Sequence, residues 1–493
     1  MTLRARLLPH LLAPLAAALV VAGCATGPDY VRPSVELPEQ WSVARDGDAR
    51  PALAPSRWWT LYADPVLDQL VDEALEHGAD IQLAAARVLE ARARAGITDA
   101  DRYPAVGANF GADRTRSSRE AAFPLPAGTP RISNSYRATL DVAWEIDLWG
   151  KYRRASEAAR AEVFVAEAAR DGVHLTLAAE VAQQYFALRA LDAQATTVEQ
   201  VLAGRSETVS LMHQRLDAGV ASELELRQAE AEVASARSQL AELRRAREAR
   251  EAGLAVLLGR SPRAVMDGAV ARPAPQQAAA TDDTPMVPPG LPSDLLLRRP
   301  DLREAEQRLV AANARIGAAR AEYFPSVSLT GFVGSESSDF GKLFSGPAGI
   351  FQFALGLAQP IFNAGRLRYT TAASEAVRDQ ALTGYRRAVA NAFADVRTAL
   401  AAQRAARETV AAESERATAL RQAFALADQR YQAGLASRLE TLDAERGYLA
   451  AELARLDAER AGRAAVADLV KALGGGWDGP TSAAAADGHT RAN

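Results

Sequence analysis

The sequence is short of the residues that most enzymes and nucleic-acid binders depend on. Its single cysteine, Cys24, excludes a disulfide within the chain. None of the five histidines, His10, His77, His174, His213 and His489, is spaced as a metal pair. There is no glycine-rich phosphate loop and no Gly-x-Ser-x-Gly nucleophile turn. Lysine occurs only three times, and the formal net charge is −4, which argues against a general nucleic-acid binder. Past the first two dozen residues, no apolar run is long enough for a transmembrane helix. These absences lead to the expectation of a non-enzyme that needs no cofactor and no metal and has no nucleic-acid partner.

Proline is missing from two long stretches, Gly150 to Asp217 and Arg366 to Gln432. The second is 67 residues long, and the first matches it. As helices they would each extend roughly 100 Å, far beyond an ordinary globular helix.

What is present is a duplication. Gln214, Gly219, Ser222 and Glu225 recur as Gln429, Gly434, Ser437 and Glu440, each 215 positions on. Each copy predicts a helical hairpin. Gly219 and Gly434 end one helix in a left-handed cap, and Ser222 and Ser437 begin the next with a glutamate three residues later. Leu226, Ala229, Val233, Ala236, Leu240 and Leu243 then form a heptad seam. Gly150 and Gly259 recur as Gly365 and Gly474 at the same offset.

Asp64 and Pro65 predict a helix start, and that helix is expected to run to about Arg102. Pro104 stops it, as Pro325 stops its counterpart. Strand patterns follow both prolines. Val106, Ala108 and Phe110 alternate with small or polar residues, and the run from Tyr136 to Trp149 has one apolar and one largely polar face. Phe351, Phe353, Leu355, Leu357 and Ile361 mark the last strand. Trp144 and Trp149 fit either interfacial anchors or a soluble core.

At the start, Arg4 and Arg6, the apolar run Leu11–Val21 and Val21-Ala22-Gly23-Cys24 look like a lipoprotein signal with Cys24 as the acylated residue. Without residues 1–23 the charge becomes −6, because two arginines and no acid are lost. The organisation is then a signal (1–23), an extended, lipid-anchored arm (24–63), a first repeat (64–259) with its β-hairpin over 104–149, a Pro- and Ala-rich linker (260–292), a second repeat (293–474) with its β-hairpin over 325–362, and a disordered tail (475–493). Four amphipathic strands cannot close a membrane barrel alone, whereas three chains would supply twelve.

The lipobox with GPDYVRP, the WW…DPVLDQL opening, EIDLWGKYRR, GLPSDLLLRRPDLREAE and QPIFNAGRLR together resemble the TolC/NodT family of outer-membrane efflux lipoproteins, over nearly the whole mature chain. That resemblance implies a mostly α fold with membrane β: a trimer forming a 12-stranded outer-membrane barrel continuous with a long periplasmic α-helical barrel. It implies a passive duct for small amphiphilic compounds, working with a periplasmic adaptor protein and an inner-membrane transporter of the resistance-nodulation-division type.

Leu439, Asp443 and Arg446 share one face of the returning helix, and Arg446 interrupts a leucine stripe that includes Leu442, Leu449 and Leu453. The resemblance implies that these three constrict the periplasmic end. The first hairpin has Leu224, Gln228 and Ala231 there, so an Asp443–Arg446 pair is expected only in the second. The hairpin tips at Gly219, Ser222, Gly434 and Ser437 are the expected adaptor-docking points. A protein-secretion outlet on the same fold is the alternative, and a pore-free coiled-coil scaffold a more distant one.

Overall fold

The computed structural model describes residues 26–38, 56–118, 120, 126, 128–220, 222–268, 270–272, 285, 287 and 295–476. The expected signal, Cys24, most of the linker and nearly all of the tail lie outside the described residues. The chain divides into two compact units. One takes the described residues up to Ser34, Val88–Ala166 and Ala305–Tyr385; the other takes Val35–Arg87, Glu167–Glu304 and everything from Arg386.

The first unit contains a four-stranded antiparallel sheet in the order β1-β2-β3-β4. The strands are β1 Ala105–Arg116, β2 Ile132–Ile146, β3 Ser326–Ser337 and β4 Gly349–Ala358. β1 pairs only with β2 and β4 only with β3, so both outer edges are open. The register is continuous: Leu140 stands opposite Ala108 and Val333, and Leu329 opposite Trp144 and Leu355. It puts Val106, Phe110, Leu140, Val333, Phe351, Phe353, Leu355 and Leu357 on one face, and all eight are exposed. The opposite face carries Asn109, Asp113, Arg137, Thr139, Asp141, Glu145, Thr330, Glu336 and Gln352. β2 ends at Ile146, short of the expected Trp149. Trp149 instead stacks on Phe324 at 4.8 Å and donates its indole N–H to the Pro325 carbonyl at 2.7 Å.

The same unit holds the start of the extended arm. Thr26 Oγ1 lies 3.0 Å from the Trp149 carbonyl and 3.1 Å from that of Gly317. Gly27, at φ +97°, sits directly on Gly317, where a Cβ would come 2.4 Å from Cα. Arg32 forks onto Glu306 at 2.6 and 2.7 Å, the Tyr30 hydroxyl reaches Glu306 at 3.1 Å, and Arg154 holds Asp29 at 2.7 Å. Burial and the Glu306 charge push the Tyr30 phenol well above its usual range.

The second unit is helical. A short 3-10 helix, Trp58–Tyr62, buries Trp58 and Tyr62, and Tyr62 packs on Phe186 at 4.7 Å. Two helices follow, α1 (Pro65–His77) and α2 (Ala79–Ala100). The single helix expected over 64–102 is thus broken at Gly78, whose ψ of 134° is not helical. The packing at the break admits only glycine, since a Cβ at Gly78 would come 3.1 Å from Leu177 and 3.2 Å from the Leu257 carbonyl.

α3 (Lys151–Asp217) and α4 (Glu223–Leu257) form the first helical hairpin. After the short α5 (Pro262–Asp267) and α6 (Leu295–Arg298) come α7 (Pro300–Ala321), then the second hairpin, α8 (Arg366–Gln432) and α9 (Arg438–Ala472). α3 and α8 are both 67 residues long, and α4 and α9 both 35. No described helix is long and apolar enough to cross a membrane.

Asp64 ties the start of α1 to α3. Its carboxylate accepts from the Val66 and Leu67 backbone N–H groups, from the Tyr185 hydroxyl at 2.6 Å and from Arg189 at 3.0 Å. Replacing Asp64 with Ala removes a helix cap and the acceptor of a buried hydroxyl, and should cost about 2–4 kcal/mol. The expected result is a lower denaturant midpoint for loss of helical circular dichroism, with Asp64→Asn falling between Ala and wild type.

Candidate channel face and helical gate

Both hairpin tips are built alike. Gly219 and Gly434 each adopt φ +73°, a left-handed conformation that costs glycine little. Val220 N–H then bonds back to the Arg215 carbonyl at 2.9 Å, and Leu435 N–H to that of Arg430 at 2.8 Å. These are the wide bonds of a Schellman turn, which closes the helix and reverses the chain. Ser222 and Glu225 form a complete capping box. The second copy is only half of one: Ser437 Oγ accepts from Glu440 N–H, while the Glu440 carboxylate turns to Arg430 at 3.2 Å. Val220 and Leu224 at one tip, and Leu435 and Leu439 at the other, are all more than three-fifths exposed. The tips at Gly219, Ser222, Gly434 and Ser437 therefore present matching apolar knobs.

Away from the tips, α9 packs against the first hairpin. Ala195 and Val198 of α3, Leu240 of α4 and Leu449 of α9 form one buried cluster, with Val201, Leu202, Leu243 and Leu453 around it. One turn toward the tips, charge replaces this apolar contact. Arg205 of α3, 5 % exposed, lies 3.0 Å from the Glu232 carboxylate and 3.1 Å from that of Glu445. It also donates to the Glu232 backbone carbonyl at 3.1 Å. Arg446 donates to Glu232 through Nε at 3.1 Å and through Nη2. Nearer the tips, Arg215 reaches the Tyr431 hydroxyl at 3.3 Å. Two cations and two carboxylates thus tie the first hairpin to the second, with Glu232 as the hub.

Within the single chain Arg446 pairs with Glu232 rather than with Asp443. Asp443 and Arg446 are three residues apart on α9, but the Arg446 fork is drawn across to Glu232, which burial and Arg205 hold in place. Leu442 and Leu449 are buried, whereas Leu439 and Asp443 are exposed. All three candidate residues are exposed; Leu439 and Asp443 lie one turn apart, and Arg446, 56 % exposed, reaches across to Glu232 of the first hairpin. The Arg446 hydrogen bond holds the Glu232 carboxyl below its ordinary range, against burial and with help from the Arg205 charge.

Sequence reasoning did not find Arg205, Glu232 or Glu445. The duplication carried the signal for two of these sites. Arg205 and Glu232 correspond to Leu420 and Gly447, and Arg446 to Ala231. Each charge stands where the other half has none.

The sheet supplies the other functional surface. On the apolar face, β2 carries no charge from Tyr136 to Ile146. That length rises roughly 34 Å along the strand, or about 26 Å across a membrane at the usual tilt of ~40°, close to the ~25 Å apolar band of outer-membrane barrels. Aromatic rings mark both ends. Tyr136 packs edge-on against Phe340 at 5.4 Å, and Trp144 donates its N–H to the Arg102 carbonyl at 3.0 Å. On the polar face Asp141 accepts from Asn109 at 2.7 Å and from Thr139 at 3.0 Å, and Arg137 lies 4.4 Å over the Phe332 ring. Among the described residues no group of three or more His, Cys, Asp or Glu side chains is placed to hold a metal.

Comparison with known proteins agrees with this geometry. The chain matches the outer membrane efflux protein family over residues 70–260 and 291–475. It is 34 % identical over 473 residues to the cation efflux system protein CusC of Escherichia coli, covering 95 % of this chain and 99 % of the relative. It is 35 % identical over 469 residues to the solvent efflux pump outer membrane protein SrpC of Pseudomonas putida, covering 94 % and 98 %. The open-state structure of the Neisseria gonorrhoeae MtrE outer membrane channel superposes with a TM-score of 0.79 at 33 % identity, over 92 % of this chain and 98 % of that one. A long-helix repeat with two matched hairpins and a one-faced apolar sheet is the architecture of that family, and this chain belongs to the outer membrane efflux proteins.

Proposed function

We propose that three copies of this chain assemble into the outer-membrane duct of an efflux pump, gated at its helical end by the second hairpin. The observation that carries the reading is the sheet. One face is apolar and exposed across a membrane thickness, yet both edges are open. Lipid tolerates no unpaired backbone N–H or C=O, so the edges must be closed by other strands. Three copies give twelve strands, within the range of outer-membrane barrels. The polar face with Asp141, Arg137 and Glu336 then lines the duct.

The helical end works as a gate because its ties are polar and few. In a trimer, exposed Leu439 and Asp443 form an apolar and an anionic ring, while Arg446, Glu232, Arg205 and Glu445 hold the second hairpin against the first. Apolar and charged rings are established ways for pores to close and select. The apolar knobs Val220, Leu224, Leu435 and Leu439 fit a periplasmic adaptor, with an inner-membrane transporter of the resistance-nodulation-division type behind it. Acylation of Cys24 anchors the chain: Thr26, two residues on, is pinned to Trp149 and Gly317 beside the base of the sheet. The cargo is small amphiphilic compounds, carried passively. The family is one of efflux channels, and the duct needs no catalytic group and no cofactor.

Planar-bilayer recording of purified trimers tests the gate. Wild type should conduct poorly, and Asp443→Ala/Arg446→Ala should raise single-channel conductance several-fold. A wide-open wild type that the substitutions leave unchanged would keep the duct and remove the gate.

The lowered carboxyl of Glu232 sets a pH dependence. A depressed folded pKa stabilises the closed tie fully above the ordinary value of 4.5, and the tie is lost as pH falls through the lowered value. Wild-type conductance should therefore rise as pH drops below 4.5. Glu232→Gln, which leaves Glu445 and Asp443 in place, should be open at neutral pH and lose that acid step. An acid step of unchanged size in Glu232→Gln would assign the effect elsewhere.

A further inference from the structure

The apolar face of the sheet carries its only charges at one end. β1 presents Val106, Ala108, Phe110 and Ala112 on that face, and then Arg114 and Arg116. The register places Arg114 opposite Asn134 and Arg116 opposite Ile132, just past Tyr136, whose contact with Phe340 closes the apolar band. Across the sheet, β3 ends in Ser337 opposite Tyr136 and Ser335 opposite Ala138, just below the level of the two arginines. Both arginines are exposed, and neither has an acidic partner among the described residues. The nearby acids are otherwise engaged or face away. Asp339 pairs with Lys342, Asp113 and Glu336 are on the polar face, where Glu336 meets Arg137, and Glu120, in the connection after β1, forms no ion pair with either arginine.

This is the end where the strands are joined by 117–131 and 338–348; the opposite strand ends lead into helices. In an outer-membrane duct whose helices are periplasmic, the strand-to-strand connections face outward. The inference rests on that reading. A cation on the lipid side, one residue pair beyond the aromatic girdle, stands at the depth of the outer-leaflet head groups. Guanidinium forks match phosphate oxygens in two-point contact, and two of them at i and i+2 lie on one side of the strand roughly 7 Å apart.

We propose that Arg114 and Arg116 form a cationic rim that binds the phosphates of the phosphorylated glycolipid in the outer leaflet. Its acyl chains lie along the apolar band, and its head group is held at the rim. A free anion has no use for the band below, and a zwitterionic lipid lacks the unbalanced charge that two unpaired arginines require. Three copies place six such arginines around the barrel, so the lipid also spans neighbouring chains at the closed edges.

The test is uptake of purified bisphosphorylated lipid A by detergent-solubilised trimers, counted per chain by mass spectrometry. Wild type should take it up saturably, while the same lipid stripped of phosphate should bind weakly. Arg114→Gln and Arg116→Gln should each reduce affinity about fivefold. Arg114→Lys/Arg116→Lys should retain most of the binding, which separates loss of charge from loss of fold. Millimolar inorganic phosphate should not displace the lipid.

Equal binding by the double Gln variant, or by the dephosphorylated lipid, would overturn the rim. Displacement by inorganic phosphate would also overturn it, in favour of a bare anion site. Conductance of the double Gln trimers in a phosphatidylcholine bilayer keeps the two readings apart. Retained conductance with lost lipid A binding supports the rim, and retained conductance with unchanged binding removes the rim alone. A wild type that forms no trimer, with no conductance even in Asp443→Ala/Arg446→Ala, would remove the duct and the rim with it.

Discussion

Unpaired backbone groups in lipid govern everything else here. A strand edge in water can bond to solvent, but in hydrocarbon each unmet N–H or C=O costs several kcal/mol. The sheet of this protein has an apolar face with no charge across a membrane thickness and two open edges. Those facts are compatible only if other strands complete the ring. Assembly is therefore a condition of the fold in the membrane, and the duct follows from closing the ring with the polar faces inward.

The arm shows how the sheet's base is fixed within its own unit. Thr26, Asp29, Tyr30 and Arg32 each find a partner on the helices or turns beside the strands. The fit at Gly27 leaves no room for a side chain, because Gly317 lies directly beneath. The start of the described chain is thus held in one place beside the base of the sheet.

In the helical unit, duplication provides the scaffold, and divergence distinguishes the two hairpins. The two hairpins share helix lengths, turn geometry and exposed knobs. A symmetric pair would give no reason for one hairpin to move. Arg205, Glu232 and Arg446 break that symmetry, and they do so where the apolar seam of Leu240 and Leu449 gives out. Polar ties that reach the surface at one end, as these do at Arg446, can be broken by pH or a partner, whereas an apolar seam cannot be tuned in that way.

The sequence by itself determined the elements. Missing prolines defined the long helices, and the 215-residue offset defined the repeat and the position of both turns. Two-residue alternation defined which strand face is apolar, because side-chain direction along a strand is fixed by the pleat. These are properties of the linear pattern, readable without knowing which distant residues meet. Tertiary structure decided what depends on distant neighbours. The helix breaks at Gly78, where Leu177 and the Leu257 carbonyl leave no room for a Cβ. Trp149 leaves the strand to stack on Phe324. Arg446 passes over Asp443, three residues away, for Glu232, 214 positions away, since a buried carboxylate already oriented by Arg205 is a better partner than an exposed one on the same helix.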